Sequence, residues 1–182
     1  HDIHELKVEL LGQQMTFLTD AGVFSKKMID YGSRVLLSAL EFNKKEMLLD
    51  VGCGYGTLGL TLAKAQELEV TLVDINQRAL DLARKNADAN QVSADIFQSN
   101  VYEQVTGQFH HIISNPPIRA GKQVVHEVIS GSYDHLLADG DLTIVIQKKQ
   151  GAPSAKTKME EVFGNCETLK KDKGYYILRS VK

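Results

Sequence analysis

Short apolar runs and longer amphipathic stretches alternate along most of this chain of 182 residues. MLLDV, EVTLVD, SADIFQS, HHIIS and DGDLTIVIQKK are runs of strand length, rich in aliphatic and β-branched residues and bounded by Gly, Asp, Asn or Pro. They read as five strands, the last opened by a turn. The stretches between them, LGLTLAKA, QRALDLARKNADAN and VVHEVISGSYDHLLA, have apolar residues at helical spacing. GAPSAKTKMEEVFG reads as a helix capped by Ser154 and stopped at Gly164. Ahead of this alternation, LKVELLGQQMTFLT predicts two strands around a Gly-Gln-Gln turn. KKMIDYGSRVLLSALEF predicts one helix or two short ones, with Met28, Ile29, Val35, Leu36, Ala39 and Leu40 on one face. NCETLKKDKGYYILRSVK reads as a closing hairpin.

Strands alternating with helices predict an α/β fold, a parallel sheet with helices on both faces. The closing hairpin adds one antiparallel strand at or near its edge. No internal repeat, low-complexity tract or long linker divides the chain. The expectation is one domain over 1–182, with a hairpin and helical extension at 1–45 and a core at 46–182. In such sheets ligands sit beyond the carboxyl ends of the strands, so the loops after the first four core strands are where chemistry is expected.

Composition changes this picture little. Hydrophobic residues make up 43% and charged residues 24%, with a net charge of −2 and a pI near 6.3. Bulk charge therefore neither suggests nor excludes nucleic acid, and any phosphate contact must come from a local patch. Cys53 and Cys166 have no metal-ligand spacing, so no metal is expected, and they read as reduced thiols of a cytoplasmic protein. No run reaches membrane-spanning length or has the pattern of a signal peptide.

The first strand runs into Asp50-Val51-Gly52-Cys53-Gly54-Tyr55-Gly56-Thr57. Glycines at this turn permit positive φ and close approach of a ligand. The spacing is G-x-G-x-G rather than G-x-G-x-x-G, and a carboxylate at Asp50 suits a ligand carrying positive charge more than a pyrophosphate. Asp74 ends the second strand, where an acid accepts both hydroxyls of a ribose or, alternatively, caps the next helix. Asn100, after the third strand, meets an adenine amino group or is a plain turn asparagine. LLDVGCGYGTLGL with VDIN downstream resembles the class I S-adenosylmethionine-dependent methyltransferases. That resemblance implies a Rossmann-like seven-stranded sheet whose final strand is antiparallel. It also implies that Gly52, Cys53, Gly54 and Gly56 cradle the methionine part of S-adenosyl-L-methionine, with Asp50 beneath. Asp74 and Ile75 would hold the ribose side, and Asn100 with Val101 the adenine.

The fourth strand ends in Asn115-Pro116-Pro117, which spends two of the chain's three prolines in one place. Proline cannot donate to a ladder, so the strand must stop there. A rigid shelf of this kind suits methylation of an exocyclic amine, whose lone pair is delocalised into its ring. The Asn115 side-chain oxygen accepts one N–H and the Pro116 carbonyl the other, which favours a pyramidal nitrogen by positioning and electrostatics. Asn115 also borders the cofactor. The motif resembles the N/D/S-P-P-aromatic signature of amino-methyltransferases acting on adenine, guanine N2 or glutamine side chains. Its fourth residue here is Ile118, which removes aromatic stacking on a flipped base from that position.

GVFSKKMIDYGSRVLL, NPPIRAGK and QGAPSAKTKMEEVFGN resemble the small-subunit ribosomal RNA guanine-N2 methyltransferase family, matching the catalytic half of its longer bacterial members. The resemblance implies an enzyme that methylates a guanine N2 in small-subunit rRNA, with ribosomal RNA or the small ribosomal subunit as partner. It implies that Phe24 and Ser25 line the cleft and that Gly32 lies near the methionine carboxylate. Phe24 also fits plain core packing. Arg119 and Lys122 flank the shelf and meet phosphates or solvent. Lys148, Lys149, Lys156, Lys158, Lys170, Lys171 and Lys173 are an RNA footprint or ordinary surface. His110 and His111 read as structural. An adenine or glutamine amino-methyltransferase, a non-catalytic RNA-binding module of the same fold and a nicotinamide-dependent dehydrogenase are the alternatives.

Overall fold

The computed structural model describes residues 3–20, 29–117 and 120–182. Its main sheet has seven strands in the order β5-β4-β3-β6-β7-β9-β8. These are β3 (Met47–Val51), β4 (Glu69–Asp74), β5 (Ala94–Gln98), β6 (Phe109–Ser114), β7 (Leu136–Gln147), β8 (Glu167–Asp172) and β9 (Tyr175–Val181). The pairs β3–β4, β4–β5, β3–β6 and β6–β7 are parallel. β9 runs antiparallel to both β7 and β8, so one strand of the sheet is reversed. The central strand β3 is apolar along its length except at Asp50, because a parallel strand covered on both faces has no solvent side.

Helices α1 (Tyr31–Ala39), α2 (Thr57–Gln66) and α3 (Gln77–Ala89) cover one face, where Val35, Leu36, Leu60 and Leu80 meet Leu48, Leu72 and Ile113. Helices α4 (Gly121–Ser132) and α5 (Ala152–Phe163) cover the other, packing Val128, Ile129, Ala155 and Met159 on Leu49, Ile112 and Ile144. This is the Rossmann-like seven-stranded architecture expected from the sequence. Among the described residues no helix is long and apolar enough to cross a membrane.

The N-terminal hairpin pairs β1 (Ile3–Leu10) with β2 (Gln13–Asp20). Its turn is Leu11-Gly12, both at positive φ, rather than Gly-Gln-Gln. A two-residue turn of this hand matches the right-handed twist of the strands, and register then carries Gln13 into β2. The free edge of β2 is paired by side chains. Asn90 accepts from Thr16 N at 2.9 Å and donates to Thr16 O at 2.7 Å. Asn86 does the same for Leu18 at 2.6 and 3.1 Å. Asn86 of α3 and Asn90 at its C-cap thus stand in for a third strand and cover an edge that would otherwise expose its ladder. Asn86 also donates to Tyr55 O at 2.8 Å, tying the hairpin to the glycine loop.

Two other boundaries differ from the sequence reading. The helix predicted through 138 stops at Ser132, and Leu136–Ala138 already belong to β7. Those apolar residues fit either period, and pairing of Leu136 with Phe109 decides for the strand. Ser154 does not cap α5. Gly151 occupies the N-cap and Pro153 lies in the first turn, where its missing N–H costs nothing. Ser154 Oγ instead meets His126 Nε2 at 3.1 Å.

Near the amino ends of β3 and β6, His111 lies between Asp141 (2.6 Å) and Glu46 (2.9 Å), with its ring stacked on Phe42. Arg179 Nε donates to the other Asp141 oxygen at 2.7 Å. His110 accepts from Met47 N through Nδ1 at 2.9 Å. Both histidines bond within the fold, and the carboxylates that meet His111 come from segments remote in sequence. Burial pulls the His111 imidazole down, but its bonds to Asp141 and Glu46 outweigh this and its pKa is raised. A raised folded pKa contributes stability that is complete below the unfolded value of about 6.5 and lost as pH climbs through the folded value. Urea unfolding of wild type and His111→Gln at several pH values is expected to show their gap narrowing over that window by on the order of 1 kcal/mol. A gap independent of pH would mean that the imidazole is not held protonated.

Candidate active site

The loops after β3, β4, β5 and β6 meet at the carboxyl end of the sheet. Asp50, 1% exposed, lies under the glycine loop and accepts from Gly59 N at 3.3 Å. Among the described residues its Oδ1 is buried and has no hydrogen-bond partner. Burial, with the neighbouring Asp74 charge adding to it, pushes the Asp50 carboxyl up to about 7. A cationic or N–H-bearing ligand group is what such an oxygen accepts. Gly59 was not singled out from sequence, yet a Cβ there would sit 2.1 Å from Leu72 Cδ2, so it sets the close approach of α2 to the sheet.

Gly52 and Gly54 have φ of +78° and +55°, and among the described residues a Cβ on either would meet no atom within 4 Å. Both therefore border space that the described residues leave open, a cradle that a side chain would fill. Gly56 differs. Its φ is +102° and a Cβ would meet Leu60 Cδ1 at 2.7 Å, so this glycine serves the turn and the packing of α2. The loop hangs on β4 through Gly52 N and Cys53 N, both 2.9 Å from Val73 O. Cys53 is buried and its thiol pKa is raised by desolvation, which leaves it protonated and unreactive.

Asp74 sits opposite the loop. Its Oδ2 accepts from Gly54 N at 2.8 Å and its Oδ1 from Asn76 N at 2.8 Å. The helix cap considered for Asp74 falls to Asn76, whose side chain accepts from Arg78 N and Ala79 N. Each Asp74 oxygen keeps a further lone pair with which to accept. Ile75 follows with 61% of its surface exposed, an apolar step beside that acid. Asn100 is exposed after β5, and Val101 has φ of +55°, a conformation that strains a β-branched residue. Ser99 Oγ holds this bend by donating to Val101 O at 2.8 Å and accepting from Gln104 N at 3.0 Å.

Asn115 leaves β6 directly after Ser114, whose hydroxyl donates to Val51 O at 2.7 Å. The Asn115 Nδ2 donates to Asp30 Oδ2 at 2.8 Å and to Ser33 Oγ at 3.0 Å. Both amide protons are thus used inside the protein. Among the described residues no donor is recorded at Asn115 Oδ1. Pro117 O accepts from Ala120 N at 3.0 Å, which turns the chain into α4. Lys122 is exposed in the first turn of α4. Phe24, Ser25, Ile118 and Arg119 lie outside the described residues.

Sequence reasoning missed Asp30 and Ser33. Asp30 is the N-cap of α1, accepting from Ser33 N at 3.3 Å, and an acid before a helix carries no other signal in the sequence. Gly32 lies between them, and a Cβ there would meet Tyr175 Cε1 at 2.9 Å. Of the lysine cluster, Lys173 lies over the Tyr31 ring at 5.1 Å, and Lys148 N donates to Gly174 O at 2.8 Å, which joins two basic turns near this end of the sheet. Lys158 pairs with Glu161 instead, and Lys170 donates to Ser38 Oγ.

A glycine cradle, three acids about a cleft and an acceptor-only amide on a rigid shelf suit a ligand with cationic character and a substrate that offers N–H groups. Among the described residues no cluster of His, Cys, Asp and Glu is arranged to hold a metal ion. Residues 14–179 match the model of the methyltransferase small domain. The protein YbxB of Bacillus subtilis, itself uncharacterised, is 47% identical over 178 residues, covering 95% of this chain and 89% of its own. The ribosomal RNA small subunit methyltransferase C of Erwinia tasmaniensis is 37% identical over 174 residues, covering 93% of this chain and 50% of its own. Among solved structures, the T. thermophilus 16S rRNA N2 guanine methyltransferase RsmC, in complex with AdoMet and guanosine, superposes with a TM-score of 0.91 at 29% identity. It covers 99% of this chain and 50% of its own. The chain thus spans about half the length of these rRNA methyltransferase relatives.

Proposed function

The chain belongs to the methyltransferase small-domain family, and from that premise we propose that it methylates the exocyclic N2 amine of a guanine in small-subunit ribosomal RNA, using S-adenosylmethionine, as a cytoplasmic catalytic domain. The observation that carries the reading is Asn115, whose two amide protons go to Asp30 and Ser33 so that its oxygen remains as an acceptor. Support for the target comes from the rRNA methyltransferases that this chain resembles over more than nine-tenths of its length.

S-adenosylmethionine, when bound, supplies a methyl group on a positively charged sulfur. Gly52 and Gly54 would take its methionine part, Asp50 a donor from that part, Asp74 and Ile75 the ribose, and Asn100 with Val101 the adenine. For the substrate, Asn115 Oδ1 and the Pro116 carbonyl each accept one N–H of the amine. Those two bonds hold the nitrogen pyramidal with its lone pair directed into the cleft, and they stabilise the positive charge that grows on it. Asn115 neither takes nor gives a proton. Prolines on both sides of the Pro116 carbonyl's peptide keep that acceptor in place, so little reorganisation is needed at the moment of reaction. Lys122, Arg119, Lys148 and Lys173 would meet the phosphates that position the RNA.

Labelled methyl from S-adenosylmethionine, offered with unmodified small ribosomal subunits, naked rRNA and protein fractions, is expected to appear as N2-methylguanine in RNA. Label in glutamine of a protein fraction, or in N6-methyladenine, would move the assignment to another amino-methyltransferase class. Bound S-adenosylmethionine with no label in any fraction would count against the catalytic reading.

A further inference from the structure

We propose that Asp30 is a positioning residue for Asn115, holding its amide with Oδ1 toward the substrate and strengthening that oxygen as an acceptor. The inference rests on the reading of Asn115 as the group that receives the amine. A primary amide has a donor end and an acceptor end of nearly the same shape, so a shelf made of asparagine alone has two orientations. Asp30 removes one of them. A carboxylate has no proton to give, so only the Asn115 Nδ2 end can lie 2.8 Å from Asp30 Oδ2. Ser33 Oγ takes the second amide proton at 3.0 Å, which leaves the donor end with nothing to offer a ligand. The Asn115 side chain then offers a ligand an acceptor and no donor. An amine is matched by it, and a carbonyl oxygen in the same place is not.

The same bond has an electronic consequence. A charged acceptor on Nδ2 polarises the amide and moves electron density toward Oδ1. That oxygen becomes a better partner for a nitrogen gaining positive charge, and the Asp30 charge is felt there without any contact with substrate. Asp30 is itself fixed in place. Its Oδ2 accepts from Ser33 N at 3.3 Å and its carbonyl accepts from Arg34 N at 3.1 Å, so the start of α1 holds the carboxylate that holds the amide. Glycine at 32 leaves room for this, because a Cβ there would lie 3.2 Å from Asp30 Oδ2.

A plain helix cap would account for the bond to Ser33 N but not for the bond to Asn115, which lies 85 residues away. Asp30→Asn and Asp30→Ser separate the two roles, since both residues cap helices well and neither carries the charge. Two readouts are required. In the 15N-labelled free protein, the Asn115 side-chain amide (assigned by its loss in Asn115→Asp) is expected to exchange with solvent about tenfold faster in both variants. In methyl transfer, kcat is expected to fall about 30-fold, with the S-adenosylmethionine Kd and the RNA KM within about threefold of wild type. If Asp30→Asn is misfolded, Asp30→Ser decides. Unchanged amide exchange, or kcat within about threefold of wild type in a folded variant, would overturn the proposal. So would a parallel loss of cofactor affinity, which would place Asp30 in the framework of the cleft instead. Full activity of Asn115→Ala would instead overturn the reading of the shelf, and the exchange measurement would still decide whether Asp30 holds the amide.

Discussion

Asn115→Ala is expected to lower kcat by about 10²–10³-fold while the S-adenosylmethionine Kd stays within about threefold. The substitution removes an acceptor that acts on the amine as its charge grows, and it leaves the glycine loop and Asp74 untouched. β6 should survive it, because the strand is anchored by Ser114 donating to Val51 O and by its pairing with β3 and β7. Asn115→Asp is the sharper test. It retains an acceptor oxygen in the same place but sets a second carboxylate where Nδ2 now lies 2.8 Å from Asp30. Repulsion between like charges would turn the side chain or force a proton onto one of the two acids. That variant is expected to be as inactive as Asn115→Ala near neutral pH. Single-turnover transfer with saturating S-adenosylmethionine measures both, and retention of more than a tenth of wild-type kcat in either would remove Asn115 from the chemistry.

Asp74→Ala is expected to weaken S-adenosylmethionine binding by about 100-fold, with kcat at saturation much less affected. Asp74 has two tasks in the structure. It fixes the loop by accepting from Gly54 N and Asn76 N, each at 2.8 Å, and it keeps lone pairs with which to accept from the cofactor. Charge-assisted bonds of this kind contribute about 1.5–3 kcal/mol each. Without them Gly54, already at a φ of +55°, is free to leave its place in the cradle. Asp74→Asn should not restore binding. An amide accepts from one of the two backbone N–H groups, and its own NH2 then faces the other, donor against donor. Calorimetric titration with S-adenosylmethionine gives the affinities. A Kd within about threefold of wild type for Asp74→Ala would show that neither task matters to the cofactor.

Much of this site can be read along the chain because its parts are local. The glycine loop needs positive φ at fixed positions, and only glycine meets that demand cheaply, so Gly52 and Gly54 announce themselves. Asp74 and Asn115 stand at strand ends, and an apolar run broken by an acid or by two prolines is a one-dimensional signal. Elements went astray where two local signals competed. Ser154 has the side chain of a cap, but Gly151, at a φ of +117°, starts the helix three residues earlier. Leu136 and Leu137 fitted the end of a helix until their neighbour in β6 was known.

The sequence by itself determined the alternation of strand and helix, the cradle, the acid across from it and the amide on its proline shelf. Each of these depends on backbone preferences or on spacing within a few residues. Only the tertiary structure decided which way the Asn115 amide points, because Asp30 lies 85 residues upstream and reaches it through the packing of α1 against the sheet. It likewise decided that Gly56 serves packing while Gly52 and Gly54 meet no neighbour among the described residues. It also showed that Asn86 and Asn90 complete the edge of β2 and that His111 lies between two acids. Hydrogen bonds and close contacts between remote segments follow from how the layers are stacked, and no pattern along one segment records them.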